Sequence, residues 1–287
     1  MSTTTTSTPR TLVSVADLKA LQASGAPLAI VDASFDLADT EAGRRAWSAG
    51  HVPGSVYLHL DQDLSGRKTG LNGRHPLPER EAFAATLGRI GVTPETTVIA
   101  LDAQGGAYAA RLWWMLRWMG HGPAAVLDGG VGAWTRAGGA LVTDVAVPPA
   151  APPYPSRTPL VRSVDAPTLA RELGRLRVLD ARSPERFRGE TEPIDPIAGR
   201  IPGAIHRFHR ENLQRDGTFK PAAALNEEFR GLIGAGDARQ VVHQCGSGVT
   251  ACHNLLAMEH AGLGGSVLYP GSWSEWSADP ARPIARG

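Results

Sequence analysis

The stretch Val241-Val242-His243-Gln244-Cys245-Gly246-Ser247-Gly248-Val249-Thr250-Ala251 reads as a strand, a tight loop and the start of a helix, with a thiol at the turn. A cysteine in that position faces unpaired backbone N–H groups and the positive end of a helix, and both favour thiolate over thiol. Gly246 and Gly248 allow successive N–H groups to converge on one point, because that backbone visits conformations a Cβ disfavours. The expectation is a cradle for an anionic sulfur. The same residues also describe a small buried cysteine beside an ordinary turn, so the rest of the chain has to decide.

Working outward, the strand and helix around Cys245 have a partner. Thr97-Val98-Ile99-Ala100-Leu101-Asp102, with a helix running to Met119, answers Gln240-Val241-Val242-His243-Gln244-Cys245, with a helix running to Glu259. Ile30-Val31-Asp32-Ala33-Ser34 answers Val178-Leu179-Asp180-Ala181-Arg182, and Gly50-His51-Val52-Pro53-Gly54-Ser55 answers Gly199-Arg200-Ile201-Pro202-Gly203-Ala204. Leu127-Asp128-Gly129-Gly130 with Trp134 answers Leu268-Tyr269-Pro270-Gly271 with Trp273 and Trp276. Four blocks repeated in order are a tandem duplication. Short β-branched runs alternate with helical stretches (15–24, 79–90 and 107–119), the pattern of a parallel sheet covered by helices, whose ligands sit at the carboxyl ends of the strands. The fold class is α/β in two copies, with a tail over 1–10, a first domain over 11–144, a Pro-rich extended connector over 145–159 and a second domain over 160–287.

The bulk properties set limits on function. A chain of 287 residues, 42% apolar and 20% charged, is that of a soluble globular protein of two ordinary domains. A net charge of +1 with scattered basic residues gives no footprint for nucleic acid or a membrane surface. The Ser/Thr-rich start has no apolar core, so neither a secretory signal nor a transmembrane segment is expected. Cys245 and Cys252 are poorly placed to bond each other, and a reducing cytoplasm fits them best. No metal-ligand spacing and no Cys-x-x-Cys occur, and neither a metal nor an organic cofactor is implied.

The two Gly-x-x-Pro-Gly turns, the Cys245–Thr250 loop and Gly271-Ser272-Trp273-Ser274-Glu275-Trp276 together resemble the two-domain rhodanese-like sulfurtransferases, over residues 11 to 284. The resemblance implies two tandem rhodanese-like domains, the first catalytically silent and the second carrying sulfur on Cys245. Asp102 at the matching place cannot hold a persulfide. The implied route is ping-pong: Cys245 takes sulfur from a donor and passes it to a thiophilic acceptor, such as cyanide, thioredoxin or another thiol. The N–H groups of Gly246, Ser247, Gly248, Val249, Thr250 and Ala251 are expected to hold the persulfide as an oxyanion hole holds oxygen.

The uncharged loop resembles that of members using 3-mercaptopyruvate rather than thiosulfate. That branch implies a Ser–His–Asp relay, here Ser247, His75 and Asp61, which makes the site shared between domains. Arg186 matches the family's substrate arginine, a guanidinium fork for a carboxylate. Where the mercaptopyruvate pattern has a second arginine this chain has Asp195, and Arg188 or Arg200 is a candidate replacement. Asp180 is expected to hold loop N–H groups or Arg182, Trp273 and Trp276 to wall the pocket, Trp113 and Trp114 to pack the core, Cys252 to be buried and His243 to be a satisfied core histidine. A phosphatase-like reading of the same loop needs an arginine where Ala251 stands. A non-catalytic docking module would have no need of the thiol.

Overall fold

The computed structural model describes residues 10–145 and 147–287, so the expected tail lies almost wholly outside the described residues. In the first half β1 (Leu12–Val13), β2 (Leu28–Asp32), β3 (Ser55–Tyr57), β4 (Thr97–Leu101) and β5 (Ala124–Leu127) form one sheet in the order β1-β5-β4-β2-β3. In the second, β6 (Arg162–Ser163), β7 (Arg177–Asp180), β8 (Ile205–His206), β9 (Val241–Gln244) and β10 (Val267–Leu268) repeat it as β6-β10-β9-β7-β8. Every strand pair in both sheets is parallel. Strands such as Val98-Ile99-Ala100-Leu101 are apolar without alternation because helices cover both faces.

The helices are α1 (Val15–Ala23), α2 (Ala42–Ala49), α3 (Arg80–Arg89), α4 (Ala109–Trp118) and α5 (Gly130–Arg136), then α6 (Ala166–Arg171), α7 (Pro184–Arg188), α8 (Ala222–Ile233), α9 (Ala251–His260) and α10 (Ser272–Trp276). The three helices expected from the pattern agree with α1, α3 and α4 to within two residues at each end. β4 and β9 are the middle strands of their sheets, and each feeds a helix, α4 or α9, that packs against the other. Trp113, Trp114 and Leu112 on α4 share one buried cluster with Leu255, Leu256 and Met258 on α9, which joins the domains through apolar burial of about 1.5–3 kcal/mol per large side chain.

The described residues of the Pro-rich connector are in neither helix nor strand, and they are pinned to α3. Ala151 N–H donates to Gly88 O (2.8 Å), Tyr154 N–H donates to Ala84 O (3.0 Å), and the buried Tyr154 hydroxyl meets His121 Nδ1 at 3.0 Å. A Cβ on Gly88 would lie 2.6 Å from Pro152 O, so glycine is what lets the connector approach.

Candidate active site

Because β4 and β9 are topologically equivalent, Asp102 and Cys245 stand at the carboxyl ends of equivalent strands. Cys245 is held through its own main chain by the start of α10: its N–H donates to Ser272 Oγ (3.0 Å) and its carbonyl accepts from Trp273 N–H (3.0 Å). Ser272 takes a left-handed φ of 52° to do this and donates its own proton to Tyr269 O (2.9 Å). Strain at a non-glycine residue beside the nucleophile is consistent with a site that needs its geometry fixed. Gly248 also turns left-handed (φ 77°), where a Cβ would press to 2.2 Å from Pro270 O.

The backbone N–H groups of Gly246 through Ala251 have no acceptor among the described residues. In the first copy four N–H groups of the corresponding loop and helix start are filled by one side chain. The Asp102 carboxylate accepts from the N–H of Gln104, Gly106, Tyr108 and Ala109 at 2.8, 2.8, 2.8 and 2.9 Å. One copy of the loop thus wraps an internal anion, and the other leaves a thiol among unclaimed donors.

The cleft at Cys245 lies between the domains and has a volume of about 270 Å³. Gly246, Ser247, Val249 and Thr250 line it from the loop, while Ala251 is buried at the start of α9 and Gly248 is given over to the turn. From the first domain His75 reaches in. Its Nδ1 lies 2.7 Å from Ser247 Oγ, and its Nε2 lies 3.6 Å from Asp61 Oδ1. Burial holds His75 down at about 3, against the opposing pull of Asp61, so the ring is neutral at physiological pH and accepts from the serine hydroxyl. Asp61 lies on the far side of His75 from Ser247, bound also to Lys68 Nζ (2.8 Å). The three residues are brought together in the order that a relay needs.

Arg186 leans over the loop: a Cβ on Gly246 would be 3.2 Å from its Nη1 and 2.9 Å from Nη2 of Arg74. Arg74, which the sequence reading did not single out, lines the same cleft. Asp195, in the place of the second arginine, bridges the two guanidinia, binding Arg74 Nη1 through one oxygen and Arg186 Nη2 (3.0 Å) through the other. Glu192 braces Arg186 from behind (2.7 Å). Burial raises the Asp195 carboxyl while the two arginines oppose the rise. Neither suggested replacement is in place. Arg188, at the end of α7, is exposed on Glu190, and Arg200, bridged through its backbone to Ala285, stacks on Phe187 at 4.8 Å, so neither lines the cleft.

Other expectations divide. Asp180 accepts from Arg182 N–H (3.0 Å) and pairs with Arg182 Nη2 (2.8 Å), so both are structural. Trp113 and Trp114 are core, and Cys252 is fully buried. Trp273 and Trp276 do not wall the pocket. Both sit in the core on the opposite face of the sheet, under Arg182 and Arg282, because α10 turns its aromatic side inward. His243 is a core residue but not a satisfied one, since neither ring nitrogen has a partner and burial keeps it neutral at about 3. No cluster of three or more potential metal ligands occurs among the described residues, and no helix among them is long and apolar enough to cross a membrane.

A thiol among unclaimed backbone N–H groups, at a cleft shared by two α/β domains, is the arrangement of a group-transfer enzyme. The rhodanese-like domain family matches residues 14–137 and 165–279. The chain is 42% identical over 265 residues to a probable 3-mercaptopyruvate sulfurtransferase of Pseudomonas aeruginosa, covering 91% of this chain and 93% of the relative. It is 38% identical over 278 residues to a putative thiosulfate sulfurtransferase of Mycobacterium tuberculosis, covering 96% and 97%. The solved 3-mercaptopyruvate sulfurtransferase of Leishmania major superposes with a TM-score of 0.83 at 29% identity, covering 93% of this chain and 74% of that one. The chain belongs to the rhodanese family and is a sulfurtransferase.

Proposed function

We infer that Cys245 carries sulfane sulfur as a persulfide, with 3-mercaptopyruvate the preferred donor. The observation that carries this is the contrast between the loops: donors that the first copy spends on the Asp102 carboxylate stand free around the second copy's thiol. The Cys245 thiolate attacks the donor's sulfur, the carbon–sulfur bond breaks, and its electron pair leaves as the enolate of pyruvate. The donor's thiol proton is the one that enolate needs. Ser247 and neutral His75 are placed to pass it on, with Asp61 fixing the ring, while Arg74 and Arg186 grip the carboxylate between the domains. The loop N–H groups then stabilise the persulfide until a thiophilic acceptor, cyanide, thioredoxin or another thiol, removes the outer sulfur. Two free thiols fit a reducing cytoplasm.

Incubation with mercaptopyruvate should add about 32 mass units, roughly one sulfur, to Cys245, and Cys245→Ala should abolish both the addition and turnover. Failure of the addition sinks the reading. The runner-up donor is thiosulfate, favoured by the pair of guanidinia, which also suits a dianion. Ser247→Ala separates the two. Thiosulfate has no thiol proton, so the variant should lose about 100-fold or more in kcat/KM with mercaptopyruvate and under about threefold with thiosulfate. Equal losses overturn the relay.

A further inference from the structure

Arg111 has no part in the chemistry above. It lies on α4 among residues buried on every side, and its own side chain is fully buried. A guanidinium stays charged in a protein, and a buried charge needs compensation. No carboxylate supplies it among the described residues. Nη1 donates to Gly248 O (3.4 Å), Nη2 donates to His75 O (3.1 Å) and Leu64 O (3.5 Å), and Nε has no partner. The groups whose negative charge would act on it are the thiols of Cys252 and Cys245. Burial pushes Cys252 up to about 12, so it remains a thiol. That leaves Cys245 as the sulfur able to become the counter-ion.

The first copy's loop shows what the grip on Gly248 does. Arg111 is the third residue of α4, and the third residue of α9 is His253, whose Nε2 donates across the interface to Gly105 O (3.0 Å). Gly105 stands three residues after Asp102, as Gly248 stands three after Cys245, and both are left-handed (φ 69° and 77°). Within one planar trans peptide the carbonyl and the next N–H point in opposite directions. With its carbonyl held by His253, the Gly105–Gly106 peptide turns its N–H onto the Asp102 carboxylate at 2.8 Å. Held by its carbonyl in the same way, the Gly248–Val249 peptide would present its N–H on the side of the sulfur. His253 is neutral, with burial holding it at about 3, whereas the sulfur-bearing loop is gripped by a cation.

We propose that Arg111 is a cross-domain positioning residue that fixes the Gly248–Val249 peptide toward Cys245 and supplies the buried positive charge that offsets the anionic sulfur. Its second arm, on the His75 carbonyl, ties the relay's loop to the same point. The proposal rests on Cys245 being the sulfur carrier.

The test is the pH profile of Cys245 alkylation by iodoacetamide, with the modified residue identified by peptide mass, in the full-length parent, R111K and R111H. R111H installs the neutral gripping group that serves the first copy's loop, and R111Q takes its place if that variant fails to melt cooperatively. The other charged or titratable groups facing Cys245 are unchanged in all three: Arg74, His75 and Tyr108 from the first domain, Arg182 from the end of β7, Arg186 from α7, His209 and Arg210 from the turn at 209–212, and Cys252 from α9. R111H should raise the profile's midpoint by about one pH unit or more, and R111K by less than about half a unit. Coincident midpoints in all three overturn the proposal. So does an R111K shift as large as that of R111H, since the loss is then one of packing rather than charge. No sulfur donor enters this assay, so its failure is distinct from failure of Cys245 to gain sulfur.

Discussion

The Asp102 loop and the Cys245 loop follow equivalent strands and open equivalent helices, yet they stand in opposite states. In the first, an aspartate has folded its own carboxylate into the cradle and satisfied four N–H groups. In the second, the thiol is uncharged when protonated and leaves the donors of Gly246 to Ala251 without acceptors among the described residues. The first loop is therefore a stabilised anion complex closed on itself. The second is the same arrangement without its anion, which the proposed persulfide would supply. The difference teaches that the fold tolerates the cradle in either state and that only the second state is useful for transfer. It also shows why a duplicated site can fall silent through one side chain while its architecture persists.

The comparison breaks most sharply at Cys245→Asp, which writes the first loop's solution into the second. Sulfur uptake should vanish, as is expected for Cys245→Ala. The aspartate variant should nevertheless melt about 3 °C or more above the alanine variant, because a carboxylate takes up donors that alanine leaves bare. Melting of Cys245→Asp at or below Cys245→Ala would show that the second loop's N–H groups do not converge on that point.

The converse change is Asp102→Ala. Four N–H groups, those of Gly106 and Ala109 buried and those of Gln104 and Tyr108 partly so, lose their acceptor, so a loss of about 3 kcal/mol in unfolding free energy is expected by denaturant titration. Activity per folded molecule should stay within about threefold of the parent, since the first loop holds no sulfur. A larger fall in activity at full folding would mean that the first loop takes part in transfer.

The next effect lies above the cradle. Arg186→Lys and Arg74→Met each remove a fork from the carboxylate grip, and each should cost roughly 10- to 100-fold in kcat/KM for mercaptopyruvate. Arg186→Lys should leave the melting temperature nearly unchanged. Equal proportional losses of activity and stability would make these arginines structural members of the Asp195 cluster. The pairing also offers a sharper form. If Arg74 stands in for the missing second arginine, then Asp195→Ala should free both guanidinia and strengthen donor binding, lowering KM.

What the sequence carried was the part encoded by neighbours along the chain. The strand, the two glycines and the helix start around Cys245 are local, and the duplication is visible because its blocks recur in order. Asp102 opposite Cys245 followed from that alignment. What it did not carry was the pairing of side chains far apart in the chain. Arg74 sits beside His75 in a loop already under suspicion, but its partner Asp195 is 121 residues away, so only the unmatched acid at Asp195 hinted at a base elsewhere. Arg111 to Gly248 spans 137 residues and crosses a pseudo-symmetric interface that no local pattern describes. Trp273 and Trp276 failed for a different reason. A short helix after a strand can turn its aromatic side to the cleft or to the core, and five residues are too few to show which.

The smallest effect contrasts the neighbouring strands, where Asp32 and Asp180 end β2 and β7 in matching registers. Asp180 is paired with buried Arg182, whereas Asp32 has the Ser34 N–H (2.8 Å) and no guanidinium, with the Asp102 carboxylate close by. Burial, opposed by Ser34 and reinforced by Asp102, pushes the Asp32 carboxyl up to about 6. A carboxyl raised in the folded state favours the protonated form there. Its contribution is therefore greatest below the unfolded value near 4 and is lost as pH rises through about 6. An asparagine side chain in its place keeps an oxygen for the Ser34 N–H without the charge. Asp32→Asn should thus stabilise the protein by about 1–2 kcal/mol at pH 7.5, with the gap closing between about pH 6 and pH 4 and absent below. Unfolding titrations of parent and variant across that range would show it, and a gap independent of pH would mean that Asp32 is not carrying a buried charge. The matching change in the second copy, Asp180→Asn, should have the opposite sign at every pH in the range, because it strips a buried arginine of its partner.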